Sequence, residues 1–598
     1  MSGTMNEKGS RGQLEASTEA VEHIENTQHL QHGEAAPYHF TFFKFMALSG
    51  IIVGYMADAF NTQLTGSTYS GINAKIGPDP FDVWIGGMLP LIGSAFGPFV
   101  GYLSDIYGRR IFLLVGATFG ALGNLGSACS DSVPKVYGTG IIVGFGILNK
   151  QVSVAAVAEI FPRSWRPFVF GCFWAALAPA EGFAPIVGAS ILAYRSWKVV
   201  YWIPFALNTL ALFLVYLFYH PLNQRIKVVD KTRWQLLASL DHVSGGLIGF
   251  GTALALIGVE LGEFNLGWRD SRSLGCVVAG LFLLLGCVVP WGFFMRKRLP
   301  YPMLPRAVWS HYRRYSLNMV PLGFLALIAS TAVFLWPLMV QVLFEQDPIK
   351  AGWLSSAPLI TGVFLAPVFG WIFQKFGYQS HWTVTCLAAS LTLLTGVQAV
   401  VTPSSKAAST SLACLANVAW TGLVVGFGAI FQLVPHRNLG TSTAIYLWLR
   451  TCVNAAGAMI FPTTLKNNLP KYIARDVAIP LAKAGVSPLL IPQLIEALTS
   501  GDTKNPVLGQ VPLLALLTAG EGIKWAYVHT FRLIFFSTLA WGVCGTVVAA
   551  LTRSYGSELT PVVDTELLEG LHFNAKLDTG EGTVIRQEEY VTHFDALD

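Results

Sequence analysis

Fourteen apolar stretches of membrane-spanning length run through this chain, and they leave it few folds to choose from. They fall near 42–64, 83–104, 111–130, 136–158, 168–192 and 198–219, then 242–261 and 273–295, then 316–343, 352–374, 381–402, 409–433, 441–464 and 530–552. A helix needs about 20 residues to cross the hydrocarbon core of a bilayer. Lipid offers no hydrogen bonds, so runs of this length must satisfy their own backbone as α-helices. The expected class is an all-α polytopic membrane protein. Composition agrees, with 53% hydrophobic residues, 12% charged residues and a mean hydropathy of +0.52. A soluble chain carries about twice that charge. The net charge of +5 is too small to suggest a nucleic-acid partner.

Charge in the short loops orients the spans. With the N-terminus inside, cytosolic loops hold sixteen Lys and Arg and outer loops hold eight. That bias puts both termini in the cytosol, which an even number of spans allows. Residues 1–40 read as a disordered cytosolic tail and 553–598, rich in Asp and Glu, as an acidic one. Between them lie a six-helix bundle at 41–220, linkers with two inserted helices at 221–315, and a second six-helix bundle at 316–552. The outer segment 466–528 of that second bundle alternates polar and apolar residues and is punctuated by Pro480, Pro488, Pro492 and Pro506, so short amphipathic helices are expected over the outer mouth.

The halves repeat. "VGFG" occurs at 143–146 and again at 425–428, each time followed by a Pro/Arg turn, "FPRSWRP" and "VPHRN". The stretch "GYLSDIYGRR" (101–110) has a faded copy, "GWIFQKFGY" (370–378). Spans one to six thus correspond to spans nine to fourteen, with seven and eight inserted. Doubled bundles of this kind work by alternating access around a site near the membrane midplane.

"GYLSDIYGRR" resembles the loop 2–3 motif of the major facilitator superfamily, G-x-L-x-D-x-x-G-R-R. The resemblance implies that Gly101 lets helix two approach the other bundle. Asp105 would cap and pair at that contact. Gly108 completes the motif, and Arg109 and Arg110 would latch the cytosolic side while the outer gate is open. Fourteen spans, "SLDHVSG" (239–245) and "EGFAPIVGA" (181–189) resemble the fourteen-span drug:proton antiporters. Here Ala184 and Ala189 stand where that group usually has Gly, and Gly140 stands where its span-four Arg is expected. More narrowly, "INAKIGPDP", "LSDIYGRR", "AEIFPRSWRP", "LFYHP" and "GVSPLLIPQLIEALTSG" resemble the fungal trichothecene efflux pump family, which is related to the fungal siderophore–iron transporters. This implies a major facilitator fold and export of a toxic amphipathic metabolite, with siderophore–iron import as the alternative. It implies multi-pass residence in the plasma membrane, or in a vacuolar or vesicle membrane.

Charges inside spans are costly in lipid unless they pair or face a cavity. Asp58 (span one), Lys150 (span four), Glu181 (span five) and Arg450 (span thirteen) are therefore the candidates for proton coupling or substrate binding. Asn149, Gln151 and Asn454 lie beside them, and Trp174 is a candidate cavity wall. Glu159 and Glu260 sit nearer helix ends and read as interfacial. In the superfamily that the motif resembles, spans one, four, five and thirteen line the central cavity.

Other chemistries find little support. No G-x-x-x-x-G-K-[ST] loop occurs for nucleotide hydrolysis. The eight Cys are scattered without ligand spacing, so no metal, disulfide or cofactor is expected. The twelve His lie mainly in tails and loops, which disfavours a membrane enzyme. The expected partners are a small-molecule substrate, protons and lipid, for a chain acting as a monomer.

Overall fold

The computed structural model describes residues 40–561, apart from short stretches that include 222–239, 263–266, 296–298, 305–310, 435–437 and 501–510. The tail expected before residue 40 and the acidic segment beyond 561 lie outside the described residues.

Helices follow the apolar runs. The first bundle holds α1 (Phe42–Ile76), α2 (Trp84–Tyr107), α3 (Arg109–Cys129), the pair α4 (Val133–Gly146) and α5 (Leu148–Ile160), the series α6 (Arg166–Ala176), α7 (Ala178–Glu181) and α8 (Ala184–Tyr194), and α9 (Val199–Phe218). The insert holds α10 (His242–Glu260), α11 (Ser271–Leu281) and α12 (Val289–Met295). The second bundle holds α13 (Ser316–Met339), α14 (Pro348–Lys375), α15 (Ser380–Val397), α16 (Lys406–Gln432), α17 (Leu439–Ile473), α18 (Ile479–Lys483), α19 (Leu490–Ser500) and α20 (Leu513–Ala550). Large apolar side chains such as Phe213, Phe250, Leu285 and Leu393 are more than half exposed on these helices. On a membrane protein that surface is the lipid face.

Among the described residues, twelve helices are long and apolar enough to cross a membrane. The other two expected spans, five and thirteen, also have helical counterparts, and each departs from the simple pattern for a physical reason. Span five was expected as a continuous helix over 168–192. It is interrupted at Leu177 and again at Gly182–Phe183, next to Pro179 and Pro185, whose rings and missing N–H groups break the ladder. Span thirteen, α17, carries Arg450, Asn454 and a polar run from Thr463 to Lys471. Its polarity belongs to a helix packed among others rather than one facing lipid.

The outer segment differs from expectation. Helix α17 continues to Ile473 and α20 starts at Leu513, so both overrun their apolar windows. At 1.5 Å per residue they are about 52 and 57 Å long, well beyond the bilayer core. Their projecting ends and the short helices α18 and α19 enclose a small core of Val477, Leu481, Leu494, Ala519 and Ile523. The segment is a cap built on two long helices, and only its middle is made of separate short ones.

The bundles meet along two seams. Helix α2 packs on α17, and α6 packs on α14. The repeat relates span two to ten and five to thirteen, so the two seams exchange under the pseudo-symmetry. The insert lies against α2 through α10. Asp241 caps α10, accepting from Ser244 N (3.0 Å) and Ser244 Oγ (2.6 Å), and it also accepts from Trp291 Nε1 (3.2 Å) and Met303 N (3.3 Å). Here "SLDHVSG" acts as the anchor of the insert. Trp448 Nε1 of α17 donates to Thr252 Oγ1 of α10 at 3.1 Å, so the insert touches both bundles.

Candidate functional site

Two clusters lie on the seams, one at the end that the loop charges put in the cytosol and one deeper. At the cytosolic end, α2 reaches α17 without space for a side chain at residue 101. A Cβ on Gly101 would stand 2.2 Å from Ala444 Cβ and 2.6 Å from Gly440 O. One turn on, the Asp105 carboxylate accepts from Gly440 N (2.7 Å), Thr441 N (2.8 Å) and Thr441 Oγ1 (2.7 Å). These are first-turn groups of α17, whose own N-cap residue, Asn438, supplies no side-chain bond. The cap of one bundle's helix is thus a carboxylate from the other bundle. Both the orphan N–H groups and the positive end of the helix favour an anion there.

Arg109 holds that carboxylate in place. It is nearly buried, donates to Asp105 Oδ1 (3.1 Å) and Ala155 O (3.2 Å), and pairs with Glu159. Gly108 joins α2 to α3 with φ 87°, a left-handed conformation that side chains resist. Arg110 behaves otherwise than expected. Its Nη2 donates to Tyr216 O of α9 at 2.9 Å, so it ties two helices of the same bundle instead of latching the seam. A second bond across the seam comes from Arg166, fully buried, whose Nη1 donates to Gln432 O at 2.7 Å. Both contacts join the two bundles at this end.

The deeper cluster gathers three of the four charged candidates, Asp58, Glu181 and Arg450. Tyr55 and Asp58 of α1 are fully buried, and Trp174 of α6 is 4% exposed. The Arg450 guanidinium lies 4.6 Å from the Trp174 ring centre, a cation–π distance. Tyr55 and Trp174 meet edge to face at 6.1 Å. Arg450 has Tyr446, Tyr55 and Glu181 among its electrostatic neighbours. Tyr446 in turn donates to Val424 O at 3.0 Å. Glu181 ends α7 at the break in span five, where Gln63 Nε2 donates to its Oε2 at 3.4 Å. Asp58 belongs to the same electrostatic neighbourhood through Tyr55. Asn454 is half-buried one turn past Arg450. The side chains of Asn149 and Lys150 lie outside the described residues.

Sequence reasoning missed Tyr55, Thr441 and Arg166, and it took Glu159 for an interfacial residue. Glu159 is 7% exposed and neutralises Arg109. Tyr55 had a weak signal, lying one turn before Asp58 on the same helix face.

Comparison with known proteins bears on the fold and the family. The chain is 24% identical to the MFS-type transporter prx5 of Penicillium rubens, over 73% of this chain and 80% of that protein. It is 21% identical to the trichothecene efflux pump TRI12 of Fusarium sporotrichioides, over 81% of each. It is also 21% identical to the efflux pump dotC of Dothistroma septosporum, over 71% of this chain and 72% of that protein. Among solved structures, a double-Trp mutant of XylE superposes with TM-score 0.51 at 14% identity, covering 87% of this chain and 98% of that one. The Major Facilitator Superfamily model matches residues 51–459. With that match over more than half its length, the chain belongs to the major facilitator superfamily of membrane transporters.

Proposed function

We propose that this transporter exports a compact, oxygenated, amphipathic secondary metabolite of the trichothecene type, in exchange for protons, across the plasma membrane or an organelle membrane. Support for export comes from fungal relatives named as efflux pumps, two of them trichothecene pumps, aligned over 71% to 81% of this chain. The observation that carries the coupling is the placement of Glu181. It ends a broken helix at the bundle seam, in the electrostatic reach of Arg450.

The roles follow from that placement. Asp105, held by Arg109, Glu159 and the turn at Gly108, closes the cytosolic side when the first turn of α17 reaches it. Gly101 permits the approach. In the cavity, Trp174 and Tyr55 offer an aromatic wall to the apolar body of the substrate. Arg450 donates to substrate oxygens. The Glu181 carboxylate accepts from a substrate hydroxyl. Protonation from the outer side removes that acceptor and loosens the substrate, so proton and substrate exclude each other. Asp58 stands in reserve as the second acidic group.

A challenge in toxin-sensitive yeast tests the reading. Cells expressing the chain should survive a trichothecene concentration that stops control cells. They should gain no growth from siderophore-bound iron as the sole iron source. The opposite pair of results would overturn export in favour of iron-chelate import.

A further inference from the structure

The first residues after the last membrane helix do not leave the protein. Arg313 Nε and Nη2 donate to Leu551 O at 3.2 and 3.1 Å. Arg553 N donates to Arg313 O at 3.2 Å, and Tyr555 N donates to Ser380 Oγ at 3.3 Å. Tyr555 is 1% exposed. A single 3₁₀ turn, Gly556–Glu558, then brings Glu558 into an ion pair with Arg314. Gly556 lies against Tyr378 and Leu559 against Gly377, so closely that a Cβ on either glycine would collide. All of these partners precede α13, join α14 to α15 or open α15. They anchor the segment to the cytosolic face of the second bundle.

The next contact crosses the seam. Ser164 N, in the turn between α5 and α6 of the first bundle, donates to Thr560 O at 2.8 Å. Two residues further, Arg166 makes its buried bond to Gln432 O. The turn 163–165 is therefore held from two sides, by the end of α16 and by the post-membrane segment. We propose that residues 553–560 form a cytosolic strap that is fixed to the second bundle and fastens the first bundle only while the cytosolic side is closed. Opening that side carries the turn 163–165 away from the second bundle and must break the Ser164–Thr560 bond. The strap thereby adds to the closed state a contact that the open state lacks. Anything that lifts the strap shifts the population toward cytosolic opening. The inference rests on the transporter fold and not on the identity of the substrate.

A native thiol reports the outcome without any substrate. Cys452 lies beside Ser94 in the α2–α17 seam. In a chain whose other seven Cys are replaced, a membrane-impermeant maleimide added to the cytosolic face of inside-out vesicles reaches Cys452 only when that side opens. Truncation after Arg553 should raise the labelling rate about threefold or more, the size of change that a lost surface contact produces. Glu558→Arg should do the same, and adding Arg314→Glu should return the rate to that of the intact chain. Labelling unchanged by truncation at normal abundance would overturn the proposal. If the truncated chain does not reach the membrane, the charge series decides: no rise with Glu558→Arg overturns the strap, and a rise reversed by the swap supports it.

Discussion

Asp105 accepts four hydrogen bonds, three from α17 of the opposite bundle and one from Arg109. An Asn in its place would turn an NH₂ group toward backbone N–H donors and lose the charge that suits a helix start. Loss of an N-cap alone costs about 0.5–2 kcal/mol, enough to shift a two-state equilibrium by an order of magnitude. Asp105→Asn should therefore lower transport about tenfold or more at normal membrane abundance, measured as uptake into vesicles per unit of protein. Full transport would remove Asp105 from the gate. The residue was legible from its motif, whose Gly, Asp and Arg spacing needs no structure to recognise. Its partners were not. Gly440 and Thr441 lie 335 and 336 residues away, and nothing in one sequence pairs them. Glu159 misled for a different reason, because a Glu near a helix end is usually solvated and this one is buried against Arg109.

Helices were legible where hydrogen bonding and hydropathy stop together, and misread where they do not. The windows for spans one, thirteen and fourteen ended at polar residues, yet α1, α17 and α20 run on to Ile76, back to Leu439 and on to Ile473, and back to Leu513. A helix ladder continues through polar residues as long as water or a partner accepts their side chains. In span five, apolar length hid the breaks at Pro179, Gly182 and Pro185, which also set Glu181 at a helix end. The α2–α17 seam makes a prediction at this scale. Gly101→Val would push against Ala444 Cβ and Gly440 O, one of them backbone that has little room to yield. The variant should fold, open the seam and raise labelling of Cys452 from the cytosolic side while transport falls. Unchanged labelling and transport would mean the close approach has no part in closure.

For the whole molecule, the repeat foretold the most. Two copies of "VGFG" and two of the Gly-bounded loop motif were enough to order the spans into corresponding sixes, and the seams α2–α17 and α6–α14 exchange under that order. The cargo is less legible, because one scaffold hosts many chemistries and specificity lies in a few cavity side chains. The proposed function couples outward movement of a trichothecene-type molecule to inward movement of protons through Glu181. Purified chain in vesicles, with its cytosolic face outward and the lumen made acid, should accumulate a radiolabelled trichothecene above its outside concentration and lose that accumulation on adding a protonophore. Under the same conditions Glu181→Gln should exchange the compound across the membrane without accumulating it. Accumulation that survives the protonophore, or that Glu181→Gln sustains at the level of the intact chain, would contradict proton coupling through Glu181.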